Sequence, residues 1–260
     1  MTHNNDPQDA LPSQPFVEHL IELRTRLMRA IIVLLIILGG LLYFSNEIYE
    51  FVAEPLLKHL PEESNSSMIV TDVTQAFLTP FKLTFFVAVF LAMPFLLYQV
   101  WAFIAPALYQ NERSLAIPIF ISSVILFYGG VAFAYFIVFP MLFEFFTAIA
   151  PKSVTVMPDI ASHLSLVIKL FFAFGFAFEI PVATVILIVA GVISPDNLVK
   201  KRPYVIVGCF VIGMVLTPPD VLSQVMLAIP MWGLFEIGVF LGRFLVRKKK
   251  ESSEDEQASV

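Results

Sequence analysis

Long apolar runs separated by short polar stretches dominate the chain from residue 27 to residue 241. A helix needs about 20 apolar residues to cross a hydrocarbon core. Six stretches reach or approach that length: Leu27–Phe44, Leu83–Trp101, Leu115–Phe139, Leu164–Ile193, Tyr204–Leu216 and Val221–Leu241. Backbone in lipid must satisfy its own hydrogen bonds, and these runs exceed the length of barrel strands, so each predicts a helix. The expected fold class is an all-α integral membrane protein with six transmembrane helices. The fifth is short, because 13 residues from Tyr204 to Leu216 rise only about 20 Å against a core of about 30 Å. Thr217-Pro218-Pro219-Asp220 follows, and neither proline can donate to a continuing helix. The short fifth and sixth helices therefore form a hairpin. It marks either a functional thin region or a length mismatch absorbed by the bilayer.

Before the first run, Phe16, Leu20, Leu23 and Leu27 recur at helical spacing, with Glu18, Glu22, Thr25, Arg26 and Arg29 on the other face. This predicts an amphipathic helix at the cytoplasmic surface. The charges then set the orientation. With the N-terminus inside, Arg24, Arg26, Arg29, Arg113, Lys200, Lys201, Arg202, Arg243, Arg247, Lys248, Lys249 and Lys250 fall inside, and Lys58, Lys82, Lys152 and Lys169 outside. Twelve and four make up the 16 Lys and Arg, a positive-inside bias that puts both termini in the cytoplasm and requires an even number of spans. The loop between the first two spans is acidic, with Glu47, Glu50, Glu54, Glu62, Glu63 and Asp72, and it is expected to hold helix around Asn46–Leu60.

Composition agrees. The chain is 58% hydrophobic and 14% charged, where soluble domains carry about a quarter charged residues, and its mean hydropathy is +0.84. The polar residues 1–15 lack the apolar stretch of a secretory signal and are expected to be disordered. So is the tail 246–260, leaving one membrane domain over 16–245. One cysteine, Cys209, excludes an internal disulfide. No Walker loop, no metal-binding His-Glu-x-x-His and no nucleophile with a base is present, and the four histidines lack ligand spacing. These absences argue against an enzyme and against a cofactor or metal. No internal repeat supports an inverted-repeat transporter.

Several polar residues stand out. Glu22 precedes Arg26 by four residues and suits an interfacial ion pair; it equally suits a contact for a basic ligand. Glu112 ends the aromatic stretch Gln99 to Arg113, where Trp101 and Tyr109 fit the interface belt. Two carboxylates on one membrane face could accept two guanidinium groups. Glu179, in Phe178-Glu179-Ile180-Pro181, lies mid-span, where a charge costs about 3 kcal/mol on insertion scales. It is either a functional group or a structural hydrogen bonder served by carbonyls that Pro181 frees. Glu236 is a second acid of this kind. Lys169 lies ten residues before Glu179, too far to pair within one helix, and is expected to snorkel outwards. Asp220 suits an N-cap for the sixth helix. Thr217 and Gln224 flank the same turn and join Glu179 only if spans four, five and six meet. The rival readings are an ion-coupled small-molecule transporter using Glu179, and an intramembrane hydrolase using Glu179 and Asp220.

The chain resembles the TatC family, the core receptor subunit of the twin-arginine protein translocase. The resemblance rests on His19-Leu20-Ile21-Glu22-Leu23-Arg24-Thr25-Arg26, Tyr98 through Leu108 with Glu112, Phe133-Ala134-Tyr135-Phe136 with Phe139-Pro140, Phe178-Glu179-Ile180-Pro181, Lys200-Lys201-Arg202-Pro203-Tyr204 and Leu216-Thr217-Pro218-Pro219-Asp220. It covers residues 16 to 245. The resemblance implies a multimeric assembly in the cytoplasmic (inner) membrane with TatA- and TatB-type single-span partners. That assembly binds twin-arginine signal peptides of folded cargo and uses the proton motive force. By matching motif, Glu22 and Glu112 would contact the signal arginines, with Arg24, Phe103 and Leu108 shaping the site. Glu179, Met214, Thr217 and Gln224 would form an intramembrane polar site for partner helices. Pro55, Phe77 and Asp220 would serve on the outer side. Lys169 departs from the family pattern.

Overall fold

A computed structural model of the chain describes residues 14–50, 73–108, 116–149, 159–189, 191–217 and 221–258. Among these residues the architecture is helical and holds no sheet. The helices are α1 (Gln14–Leu42), α2 (Val73–Leu108), α3 (Ala116–Phe133), a π-helical turn (Ala134–Val138) leading into α4 (Phe139–Ile149), α5 (Ile160–Ala177), α6 (Ile180–Val189), α7 (Pro195–Lys200), α8 (Arg202–Leu216) and α9 (Val221–Ala258). Five stretches are long and apolar enough to cross a membrane: His19–Leu42, Phe77–Phe103, Ile117–Leu142, Ala161–Ile188 and Val221–Arg247. The remaining expected span, the fifth in chain order, is α8, an apolar helix of 15 residues, which rises only about 22 Å.

The helices outrun the apolar stretches that predict them. α1 takes the amphipathic segment and the first apolar run into one continuous helix of 29 residues, so the polar start is not a separate element. α2 begins ten residues before Leu83 and ends at Leu108. α9 continues to Ala258, through a tail whose polarity suggests disorder. Hydropathy detects the lipid-soluble part of a helix, whereas backbone hydrogen bonding continues through Lys, Glu, Gln and Ala, all good helix formers. The expected helix around Asn46–Leu60 lies mostly outside the described residues, although 45–50 are helical.

Proline shapes two of the spans. Before Pro140 the helix widens, and the Phe139 N–H reaches the Ala134 carbonyl five residues back, a π turn in front of a residue that has no N–H. The fourth apolar run breaks at Phe178-Glu179, between α5 and α6. Pro181 cannot donate to the Ala177 carbonyl, so the i→i−4 ladder is interrupted there. The Glu179 N–H turns instead to the Phe176 carbonyl at 3.1 Å, and the ladder resumes with Ala183 N–H to Glu179 O at 2.9 Å.

α1 packs on α2, α3 on both α2 and α5, and α9 on both α6 and α8. Glycine permits the closest approaches. A Cβ at Gly175 would lie 2.6 Å from Phe127, and one at Gly238 would lie 2.8 Å from the Pro181 Cα. Small residues let helix backbones approach where no hydrophobic drive between helices exists. The main core, with Val138, Leu142, Leu170, Phe174 and Leu227 fully buried, joins the π turn, α4, α5 and α9. Outward-facing apolar residues such as Ile36, Phe136, Val215 and Phe240 are about 70% exposed, as expected of a surface whose solvent is lipid.

Candidate functional site

The polar groups singled out in the sequence fall into three places. The first is the junction of α1 with the far end of α2. Glu22 projects from α1, and its Oε1 accepts from Arg26 Nη2 at 2.6 Å and Nε at 2.9 Å. The i,i+4 spacing puts both side chains on one face. His19, one turn earlier, lies with Nδ1 3.9 Å from Glu22 Oε2. Its ring stacks on Phe103 of α2, with centroids 4.2 Å apart and planes 17° apart. This stack brings Glu22 and Phe103 together. Glu22 is 37% exposed, and its Oε2 has no Arg or Lys partner among the described residues. A surface pair of this kind contributes about 0–1 kcal/mol, and a carboxylate offers about four lone-pair sites. An incoming guanidinium can therefore share or displace Arg26. Arg24 is exposed on the same helix. Glu112 and the Leu108 side chain lie outside the described residues, as do Pro55 and Asp220. Phe77, 67% exposed, stands near the start of α2. At this place sequence reasoning missed His19; its signal was the three-residue spacing to Glu22.

The second place is the break between α5 and α6. Ser123 of α3 donates to Glu179 Oε2 at 2.7 Å, and Trp101 Nε1 of α2 donates to Ser123 Oγ at 2.7 Å. The register follows from the glycine contacts of the antiparallel pair α3 and α5. Gly130 faces Phe174 and Phe127 faces Gly175, so Ser123, about one turn further along, comes level with Glu179. An indole can only donate. Ser123 must therefore accept from Trp101 and turn its single proton to the carboxyl group. The chain runs Trp101→Ser123→Glu179. Ser123 is fully buried. Glu179 Oε1 is also buried and has no hydrogen-bond partner among the described residues, an unsatisfied acceptor at the helix break. Trp101 is thus more than an interface belt residue.

The third place is the α8–α9 hairpin. Gln224 Nε2 donates to the Phe210 carbonyl at 2.9 Å and its stem lies against Gly213. Thr217, buried at the end of α8, donates to the Gly213 carbonyl at 2.9 Å. Met214 beside them is 52% exposed. These residues form no hydrogen bond with Glu179. α6 and α9 run parallel, with Pro181 opposite Gly238 and Ile188 against Gly242. Gln224 lies 14 residues before Gly238, roughly 21 Å along the helix. Glu179 therefore stands near the height of Glu236, at the basic end of the bundle. Glu236 itself is not an isolated acid: it pairs with Arg202 at the start of α8 at 2.5 Å. With Arg243–Asp196 at 3.1 Å, it clamps α7 and α8 to α9.

The matching family model is that of Sec-independent protein translocase protein (TatC), over residues 18–230. The chain belongs to the TatC family. Among its relatives, Sec-independent protein translocase protein TatC of Escherichia coli (strain K12) is 57% identical over 242 residues, 93% of each chain. The TatC of Azotobacter chroococcum mcd 1 is 53% identical over 247 residues, 95% of this chain and 96% of that one. A crystal structure of the twin arginine translocase receptor TatC superposes with a TM-score of 0.78 at 41% identity, covering 87% of this chain and 98% of that chain. The TatC assignment makes this chain a membrane-embedded component of a protein translocase, a transport protein and not an enzyme, working with other subunits of the Tat system. The resemblance read from the motifs is therefore upheld, and the transporter and hydrolase readings fall away.

Proposed function

We propose that this TatC-family chain is the receptor for twin-arginine signal peptides of folded proteins in the bacterial inner membrane. In this reading both termini are cytoplasmic and α8 is the fifth of six spans. Glu22 and Glu112 each receive one signal guanidinium, while Arg24, Phe103 and Leu108 shape the surface around them. TatA- and TatB-type single-span helices dock at Glu179 and at the hairpin residues Met214, Thr217 and Gln224. Pro55, Phe77 and Asp220 act on the opposite side, and the proton motive force drives transport.

The observation that carries this reading is the His19–Phe103 stack. It holds the Glu22 carboxylate against the end of α2, from which the chain leads on to Glu112, and leaves Oε2 open to a planar fork donor. A basic cluster at Arg202 and Arg243 of the same bundle supports the cytoplasmic placement of that end. The helix break at Glu179, with one carboxyl oxygen left unpaired among the described residues, supports a docking role.

The test is binding of a twin-arginine peptide to purified protein in detergent at low salt. Glu22→Ala and Glu112→Ala should each weaken binding about fivefold or more, and the loss should shrink as salt rises, because exposed pairs are screened. A lysine-for-arginine peptide should bind less well, since Lys lacks the fork. Parent-like binding by both single variants would refute the assignment.

A further inference from the structure

A cavity of about 610 Å³ opens between α2, α5 and the end of α8, and of the functional-site residues described above only Thr217 lines it. We propose that it binds the phosphate of an anionic phospholipid, held between the ammonium groups of Lys82 and Lys169.

Both lysines line this cavity, together with Gln75, Thr79, Ser162, Ser165 and Thr217, and no carboxylate among the described residues lines it. Neither ammonium has an ion-pair partner among the described residues. The sequence alone sends Lys169 outwards as an isolated snorkelling side chain. The fold gives it company instead, since α2 and α5 pack so that two positive charges share one opening. Two like charges in a site of reduced polarity repel one another, and a bound anion removes that penalty. Ser165 lies one turn before Lys169 on the same face of α5 and has no hydrogen-bond partner among the described residues, so its hydroxyl is available as a donor. The hydroxyl protons of Thr79, Ser162 and Thr217 are committed to Gln75 O, Asp159 and Gly213 O. The free donors are thus the two ammonium groups, the Ser165 hydroxyl and the side-chain amide of Gln75, which also lines the cavity, a set suited to phosphate oxygens.

Geometry favours a lipid as the source of the phosphate. Lys82 and Lys169 each lie nine residues into their helices, counting from Val73 and Ile160, about 14 Å below the helix starts. That depth would bar a headgroup beside a full-length span. Here α8 ends at Leu216, and Thr217 itself lines the cavity. A helix of this length thins the adjacent leaflet and brings headgroups down to the lysines. Leu78 and Val215 at the mouth are 50% and 70% exposed, and Met214 beside them is 52% exposed. The polar pocket therefore borders an apolar surface along which acyl chains can lie.

The proposal is tested on the full-length protein in a neutral detergent by native mass spectrometry, titrating phosphatidylglycerol against phosphatidylcholine. Phosphatidylglycerol should bind preferentially at one site. Lys82→Ala or Lys169→Ala should weaken it roughly fivefold and the double variant roughly thirtyfold, from about 1 kcal/mol per lysine near an anionic surface. Lys169→Arg should retain binding, and a melting curve for each variant separates loss of the site from loss of the fold. No preference for phosphatidylglycerol, or an undiminished preference in a folded double variant, overturns the proposal. Displacement of the lipid by millimolar inorganic phosphate would overturn the lipid as the source. A single-span peptide bearing a carboxylate is the other arm. If it loses binding in the lysine variants while lipid binding does not change, the cavity belongs to a partner helix and the proposal fails.

Discussion

Replacing Ser123 by alanine removes one hydroxyl from a site with no solvent access and breaks two hydrogen bonds, Trp101→Ser123 and Ser123→Glu179, each 2.7 Å long. A net hydrogen bond contributes about 1 kcal/mol, and a buried polar group left unpaired costs about 1–3 kcal/mol. The Glu179 carboxyl group already has one oxygen without a partner, so the variant would leave both oxygens bare. The expected loss is about 2–4 kcal/mol. For a chain of this size about 1 kcal/mol moves the melting point by about 2–4 °C, so Ser123→Ala should melt roughly 4–15 °C lower. The single cysteine supplies the assay. Cys209 is buried, and its thiol becomes reactive to a maleimide dye only as the helices separate. Trp101→Phe breaks the first bond alone and should cost less. The double variant should be less destabilised than the sum of the two, because the bonds share one hydroxyl. A parent-like melt for Ser123→Ala, or strict additivity in the cycle, would refute the linked stabilising role of these two bonds.

Gly238→Ala should destabilise by about 1–3 kcal/mol, since the new methyl meets Pro181 Cα at 2.8 Å and Thr184 Cβ at 3.0 Å; Gly233→Ala, with nothing within 4 Å of its Cβ, should be neutral or slightly stabilising by the same melt. Glu179→Gln retains an acceptor for Ser123 and should keep most site-specific crosslinking to a TatA- or TatB-type helix, whereas Glu179→Ala should weaken it severalfold and leave twin-arginine peptide binding unchanged; undiminished crosslinks in the alanine variant would end the docking role. In a variant lacking Cys209, a cysteine at position 201 should resist a membrane-impermeant label applied from outside and one at position 47 should accept it, and labelling at 201 would sink the six-span topology.

Some features of this protein were settled by the sequence alone because their causes are local. Lipid solubility is a property of each run of residues, so the helical class and the long spans were readable, and only their polar ends were misjudged. The break beside Glu179 uses a proline two residues on that has no proton to donate, but the surroundings decide it too, since α2 runs on through Pro94 and α9 through Pro230. The family was legible because its motifs are short strings, now matched over residues 18–230. What the sequence could not supply is which faces meet. Trp101, Ser123 and Glu179 come together across 22 and 56 positions, and the uniformly apolar spans gave no periodicity to show which side of each helix turns inward. Only the close approach of α3 and α5 at Gly130 and Gly175 sets that register. In the same way Glu236 reads as an unpaired acid until α8 brings Arg202 to it across 34 positions. Lys169 reads as a lone snorkelling cation and Lys82 as one more charge on the outer side until α2 and α5 turn them into one cavity. Burial and charge are fixed residue by residue, but partnership depends on helix packing, and in lipid that is decided by close contact rather than by hydrophobicity.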